Sequence, residues 1–487
     1  MANTQVTDAN GKPYNRMLLL ITVIVGTFTT VLTQTLLATA YPTLMKAFDI
    51  STSTVQWLTT GFLLVNGIMI PVSAYLINRF NSKYLYIFAI SVFFIGTWLC
   101  YVAPSFSILL AGRLVEAIGV GMSMPLMQTI SLSIFPPERR GAAMGMAGLA
   151  IGLAPAIGPT LSGWVIDNYT WRTLFGMILP IAGLVIVASF FTLKKVLKTS
   201  DPTLDIPSVI LSTLGFGGLL YGFSEVGDKG WGSPIVLGFI AIGAIFIFLF
   251  GRRQLHLEHP FLELRVFKNH TYTVATVLSS VVNMAMVGVE MVLPLYIQTV
   301  RGETAFHSGL TLLPGALMIG VMSPITGQLF DRLGAKRLGI AGMALLTIGT
   351  APFIFLTKNT PMVEVVIFYA IRMFGISMVM MPTTTAGMNA LSYDLISHGT
   401  AVNNTVRQVA SSVGTAILIS VLSNTTTNAM PGKHLLKTLP LQYKDNAMSA
   451  VLGGYRAAFV VAVLFCAVGL VVSFLLKDKH ATEEVHN

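Results

Sequence analysis

The chain has 487 residues, of which 54% are apolar and 10% charged. A soluble domain carries about 25% charged residues, so this composition excludes an ordinary water-soluble protein of the same length. The formal net charge of +10 does not point to nucleic acid. The lysines and arginines gather in short segments between apolar stretches, and no basic stripe with interleaved aromatics is present.

The polar start MANTQVTDANGKPYNR leads into an apolar stretch that is too long for a signal-peptide core and lacks a cleavage site. It is read as a retained first span. Hydropathy then predicts spans at 17–42, 54–76, 83–103, 106–128, 142–165, 174–193, 207–226, 234–251, 271–297, 308–330, 337–357, 361–383, 401–423 and 452–476. Each is near the twenty residues that cross a core about 30 Å thick. The expected fold is an all-α membrane protein with fourteen transmembrane helices. Alternate loops hold 18 and 8 lysines and arginines. By the positive-inside rule this places both termini in the cytoplasm, which requires an even number of spans. The segment 424–451 is then the longest external loop. Cys100 and Cys466 both fall inside spans and suggest neither a disulfide nor a metal framework.

An internal repeat divides the chain. AYLINRFNSKY at 74–84 follows the second span, and GQLFDRLGAKR at 327–337 follows the tenth with the same outline. An arginine inside a span comes after each copy, Arg113 in the fourth and Arg372 in the twelfth. Two six-span halves, 1–200 and 253–487, with two spans inserted at 201–252, explain this arrangement. Parallel repeats of this kind frame a central site.

Several residues stand out on physical grounds. In the second copy Gly327 permits close helix approach and Gly334 a tight turn. Asp331 is able to cap a helix or to pair with Arg332, Lys336 or Arg337. In the first copy Asn78, followed by Arg79, stands in place of the aspartate and Asn81 in place of the second glycine, so a charged contact is lost there. The fifth span reads GLAIGLAPAIGPTLSGW at 148–164. Gly148 and Gly152 allow close packing, Pro155 and Pro159 remove backbone donors, and Gly158 and Gly163 leave room for a neighbour. This pattern suits either a kinked packing helix or a hinge.

Arg113 and Glu116 are three residues apart and share a helix face near the middle of the membrane. Ionisable groups at that depth face a partner or a cavity, so the pair is either structural or a proton or cation site. Glu290 lies toward the outer end of its span, where it either meets the cavity or reaches the surface. Glu225 lies still nearer the surface. Arg372 is placed in the cavity. Arg407 and Gln408 are cationic and polar residues in span 13, and Arg407, close to its cytoplasmic end, is read as a boundary residue. The 24 methionines suit a cavity that adapts to varied apolar ligands as well as ordinary core. His256 and His259 flank Glu258 in a linker, but no metal or other cofactor is expected. No GxxxxGK[ST] phosphate loop and no catalytic constellation is present, so the chain is read as neither an ATPase nor any other enzyme.

GQLFDRLGAKR resembles the cytoplasmic loop signature of the major facilitator superfamily. LLAGRLVEAIGVG at 109–121 resembles its span 4 signature, and the 148–164 segment its antiporter signature. LTQTLLATAYP at 32–42 resembles the span 1 signature of the fourteen-span drug:proton antiporters, with the lincomycin-type and quaternary-ammonium exporters of bacteria nearest in character. The resemblance covers nearly the whole chain. It implies two six-helix bundles plus two inserted helices and a monomer in the bacterial cytoplasmic membrane. It also implies proton-driven export of apolar or cationic amphiphiles, drugs included, by alternating access.

Further roles follow from the same resemblance. Asp331, Arg332, Gly327 and Gly334, with Asn78 and Arg79, become a gate latch. Pro155, Gly158, Pro159 and Gly163 become a hinge. The family pattern has glutamine where this chain has Glu116. Many fourteen-span relatives have aspartate where this chain has Thr33, beside Gln34 and Thr35. Glu116 with Arg113 is therefore expected to carry the proton, and Thr33, Gln34, Glu290 and Arg372 to line the substrate cavity. Export of one endogenous lipid, siderophore or peptide is an alternative, and a non-transporting membrane sensor is another.

Overall fold

Several helices start where the sequence supplies a cap. The side-chain oxygen of Asn15 accepts the backbone N–H groups of Met17 and Leu18 at 3.0 and 3.1 Å. Asn81, Asn269 and Thr304 accept from Lys83, Tyr272 and His307 in the same way, satisfying donors that a helix start leaves open. The computed structural model describes residues 13–477 except 38–39, 201–204, 259, 433 and 435–437. Among them are fourteen long helices: α1 (Arg16–Leu36), α2 (Thr52–Arg79), α3 (Ser82–Val102), α4 (Phe106–Ile134), α5 (Arg140–Asn168), α6 (Ile178–Thr192), α7 (Ile206–Ser224), α8 (Pro234–His256), α9 (His270–Thr299), α10 (Ala305–Leu333), α11 (Ala335–Thr350), α12 (Met362–Asn389), α13 (Ile396–Ala429) and α14 (Pro440–Ser473). Thirteen described helices are long and apolar enough to cross a membrane. α5 falls outside that set, although its 29 residues give it the length.

A chain in lipid must satisfy its backbone internally, which these helices do. Their outward faces stay apolar: Leu184, Phe191, Phe248 and Phe355 are each at least 69% exposed. In water such a surface would be an aggregation hazard. In a bilayer it is the solvent-facing side.

α1–α6 form one bundle and α9–α14 a second, with matching contacts. α4 packs on α3, α2 and α1, and α12 packs on α11, α10 and α9. The bundles meet chiefly along α5 and α10, with α2 against α13 on the opposite side. Small residues permit the first seam. A Cβ on Gly141 would run into the Gly327 carbonyl, and one on Gly145 would stand 3.1 Å from Pro324 Cα. The inserted pair, α7 and α8, pack on each other at Gly218 and Gly243, and α7 lies against α2, where Trp57 stacks on Tyr221 at 5.9 Å. At one end of this pair Arg253 grips Asp205 with two hydrogen bonds of 2.7 Å. That guanidinium holds the Asp205 carboxyl below the usual carboxylate range.

The end of the molecule that holds Asn15, the 80–82 turn, Gly334 and the start of α13 is called the inner end below. By the charge count this is the end expected to face the cytoplasm. Several helices run further than hydropathy alone predicts. α4 continues to Ile134, and α13 runs from Ile396 to Ala429. α14 already begins at Pro440, so the expected 424–451 loop shrinks to the short stretch between Ala429 and Pro440. α11 gives way at Ala351 to a 3-10 turn ending at Phe355.

Candidate functional site

Arg113 sits two turns inside α4 from its outer end and is fully buried, as is Glu116. Arg113 Nη1 donates to Glu116 Oε2 at 2.6 Å and to the Thr33 carbonyl on α1 at 3.3 Å, while Nε reaches the Leu58 carbonyl on α2 at 3.5 Å. Its guanidinium lies 4.1 Å from the Phe62 ring centre, a favourable cation–π arrangement. Glu116 backs onto α3, where Gly96 lets the backbones approach. Glu116 Oε1 has no hydrogen-bond partner, and the nearby Thr97 hydroxyl donates to the Phe93 carbonyl instead. Because α4 runs to Ile134, the pair lies nearer the outer end than a span ending at 128 predicts.

The second bundle repeats this design. Arg372 is fully buried in α12 and donates from Nη2 to the Ala285 carbonyl on α9 at 2.6 Å. Each bundle thus ties its fourth-helix arginine to a carbonyl of its own first helix. Nε and Nη1 of Arg372 have no partner. Glu290 is part-exposed on α9, and Tyr369 is buried on α12. Thr33 is buried and its hydroxyl bonds the Thr29 carbonyl, and Gln34 is half-buried. Glu225 pairs with Lys229 at 2.7 Å in an outer turn, away from these groups.

At the inner end the two loop motifs each cross to the other bundle. Asp331, last-turn residue of α10, accepts the Gly141 N–H on Oδ1 at 2.9 Å and the Ala142 N–H on Oδ2 at 3.0 Å. It therefore caps α5 of the opposite bundle, where the helix dipole favours a negative charge. Arg332 and Arg337, expected partners, are exposed. Gly334 ends α10 with φ +80°, which a side chain rarely adopts. Asn78, last turn of α2, does the same work without charge: Oδ1 accepts the Ser397 hydroxyl at 2.6 Å and Nδ2 lies 2.9 Å from His398 Nε2, both on α13. Arg79 beside it is exposed. Sequence reasoning missed three groups at this seam. Arg140 donates to Asn389 at 2.8 Å, Asn404 donates to Gln128 at 2.7 Å, and His398 also accepts the Glu263 N–H at 3.2 Å. These partners are far apart in sequence, so no local spacing signals them.

On α5, Gly158 faces Thr35 of α1 closely, and Ser162 donates to the Leu36 carbonyl. Gly148 and Gly152 face Ser323 and Ile319 of α10, and Gly163 faces Phe306. The motif thus packs α5 against a helix of each bundle. Pro155 and Pro159 lie within the helix, but their side chains lie outside the described residues, as does His259. No group of three or more metal-ligating side chains occurs among the described residues. Arg407 is not a boundary residue: α13 starts at Ile396, so Arg407 lies about three turns in and is 5% exposed.

The model of the Major Facilitator Superfamily matches residues 23–415. This chain belongs to that superfamily. It is 47% identical over 98% of its length to the uncharacterized MFS-type transporter YcnB of Bacillus subtilis, covering 98% of that protein. It is 38% identical over 97% of its length to the lincomycin resistance protein LmrB of the same organism, again covering 98% of it. In three dimensions it resembles the human organic anion transporter MFSD10, with a TM-score of 0.68 at 13% identity, covering 95% of this chain and 100% of that one. The superfamily chain is accordingly a multi-span membrane transporter and not an enzyme.

Proposed function

We propose that this transporter is a proton-driven antiporter that exports apolar or cationic amphiphiles, drugs among them, by alternating access. The observation that carries this reading is the buried Arg113–Glu116 pair, in which one carboxylate oxygen is held and the other is free. A proton is able to arrive at Oε1 without first displacing Arg113 from Oε2. Burial disfavours the charged carboxylate and Arg113 favours it, so the protonation of Glu116 is open to control by its surroundings. Proton arrival from outside neutralises Glu116 and favours release of a cationic substrate; proton loss inside restores the charge.

The 38% identity to a lincomycin resistance protein supports drug-like substrates. Thr33, Gln34, Glu290 and Arg372 line the substrate path in this reading. Asp331 and Asn78 latch the inner end, and the 148–164 segment serves as hinge and seal. We divide the chain at 1–200, 201–252 and 253–487. The protein acts as a monomer in the cytoplasmic membrane of a bacterium, with both termini inside.

Flux in proteoliposomes tests this. A panel of unrelated compounds, ethidium included, is followed with and without a pH gradient. Gradient-dependent accumulation of several of them is expected. Flux of a single compound would replace the multidrug reading by export of one endogenous molecule, and flux that ignores the gradient would remove the proton.

A further inference from the structure

The charged side chains deep in the molecule do not balance. Arg113 has Glu116 at 2.6 Å, and Arg372 has the Ala285 carbonyl at 2.6 Å. Arg407 has neither. Its buried Nε and Nη1 lack any hydrogen-bond partner among the described residues. Met380 Sδ stands near Nη2, at 4.0 Å. A buried cation without a counter-charge is costly, and an unpaired arginine inside a membrane span marks a ligand or ion path.

The groups beside it share one chemical character. Asn403 and Asn404 lie one turn before Arg407 on α13, within reach of the same face. Gln128 of α4 spends its oxygen on Asn404, and its Nε2 has no partner. Asn403 spends its oxygen on Ser279, and its Nδ2 has no partner. The unused atoms are therefore all donors: two guanidinium nitrogens and two amide nitrogens. All of these residues are buried. The Gln128–Asn404 bond joins the two bundles, so the cluster lies on the seam that alternating access opens.

We propose that Arg407, Gln128 and Asn403 form an anion subsite at the bundle seam, which seats the carboxylate, sulfonate or phosphate group of an amphiphilic organic anion. The substrate range then extends beyond the cationic and apolar compounds of the preceding reading. The inference rests on that reading only for the direction of transport; binding at Arg407 needs no gradient and no proton. A guanidinium and two amide donors suit an oxyanion in charge and in hydrogen-bonding character. Opening of the inner end separates Gln128 from Asn404 and exposes the subsite to the side from which substrate is loaded.

Binding to the purified full chain in phosphatidylcholine nanodiscs tests the proposal. The probes are pyrenebutyrate and a trimethylammonium pyrene of equal chain length. Energy transfer from tryptophan is read and corrected against empty nanodiscs. The wild-type protein is expected to prefer the carboxylate. Arg407→Gln is expected to weaken it by at least about tenfold, in line with loss of a charge-assisted bond, and to change the ammonium probe by less than about twofold. Arg407→Lys should keep part of the affinity. A lipid phosphate offers the same chemistry. Displacement of pyrenebutyrate by added phosphatidylglycerol would assign the subsite to a lipid headgroup, and its persistence would assign it to a soluble amphiphile. Equal weakening of both probes, or unchanged carboxylate binding in Arg407→Gln, would overturn the proposal. Should that variant fail to fold, a wild-type preference for the ammonium probe would overturn it as well.

Discussion

At the scale of single residues, the two fourth-helix arginines show how the halves differ. Both bind a carbonyl of their own bundle's first helix, yet only Arg113 holds a carboxylate on its own helix. Removing one member of a buried pair costs about 3–5 kcal/mol. Glu116→Gln is therefore expected to lower thermal stability in nanodiscs, and Arg113→Gln to lower it as well. The double substitution recovers part of the loss because no charge is left alone. Additive losses, measured by unfolding temperature, would show that the two do not act as a pair. Glu290 has a different part: it is part-exposed and lies nine residues before the outer end of α9. Glu290→Gln is expected to slow flux of cationic substrates several-fold more than neutral ones and to leave gradient-driven flux of the neutral ones intact. Equal loss of both classes would contradict this. Arg113, Glu116 and Arg372 were legible in the sequence because ionisable residues inside apolar runs are conspicuous. The depth of Arg407 was not, since polar residues at the start of α13 hide how early the helix begins.

At the scale of elements, the latch joins helix ends that lie 190 residues apart for Asp331 and Gly141 and 319 apart for Asn78 and Ser397. The motif gave away Asp331 as a capping residue, but periodicity carries no information on which helix it caps. A carboxylate at a helix start gains both hydrogen bonds and dipole attraction, whereas Asn78 offers neutral hydrogen bonds alone. Asp331→Asn is expected to reduce transport about tenfold or more, and Asn78→Ala to reduce it less, at equal membrane expression. Equal and severe losses in the flux assay would contradict the unequal latch. The same gap between local and distant information explains the span boundaries. Hydropathy marks the part of a helix that meets lipid, while α4, α13 and α14 continue beyond it, where polar residues pack or hydrate without ending the helix.

At the scale of the whole molecule, composition and span-length runs made the membrane fold legible, and the repeated loop motif made its two halves legible. Hidden from the sequence was the seam: which helices meet, and that the hydrogen bonds of Asp331, Asn78, Arg140 and Asn404 gather toward the inner end. From the charge bias of the loops we expect that end to face the cytoplasm. Single cysteines at Ser200 and Thr427 are accordingly expected to label from opposite faces of intact cells, and labelling from one face would overturn the orientation. Closing the inner end and opening it again is useful work only if something pays for the cycle, and the account gives that task to a proton on Glu116. The most direct test compares wild type with Glu116→Gln in proteoliposomes, following ethidium under a pH gradient and in exchange at equal pH. The variant is expected to lose gradient-driven accumulation while exchange of bound substrate continues. Gradient-driven accumulation at near the wild-type rate would contradict it and leave Glu116 as one half of a structural pair.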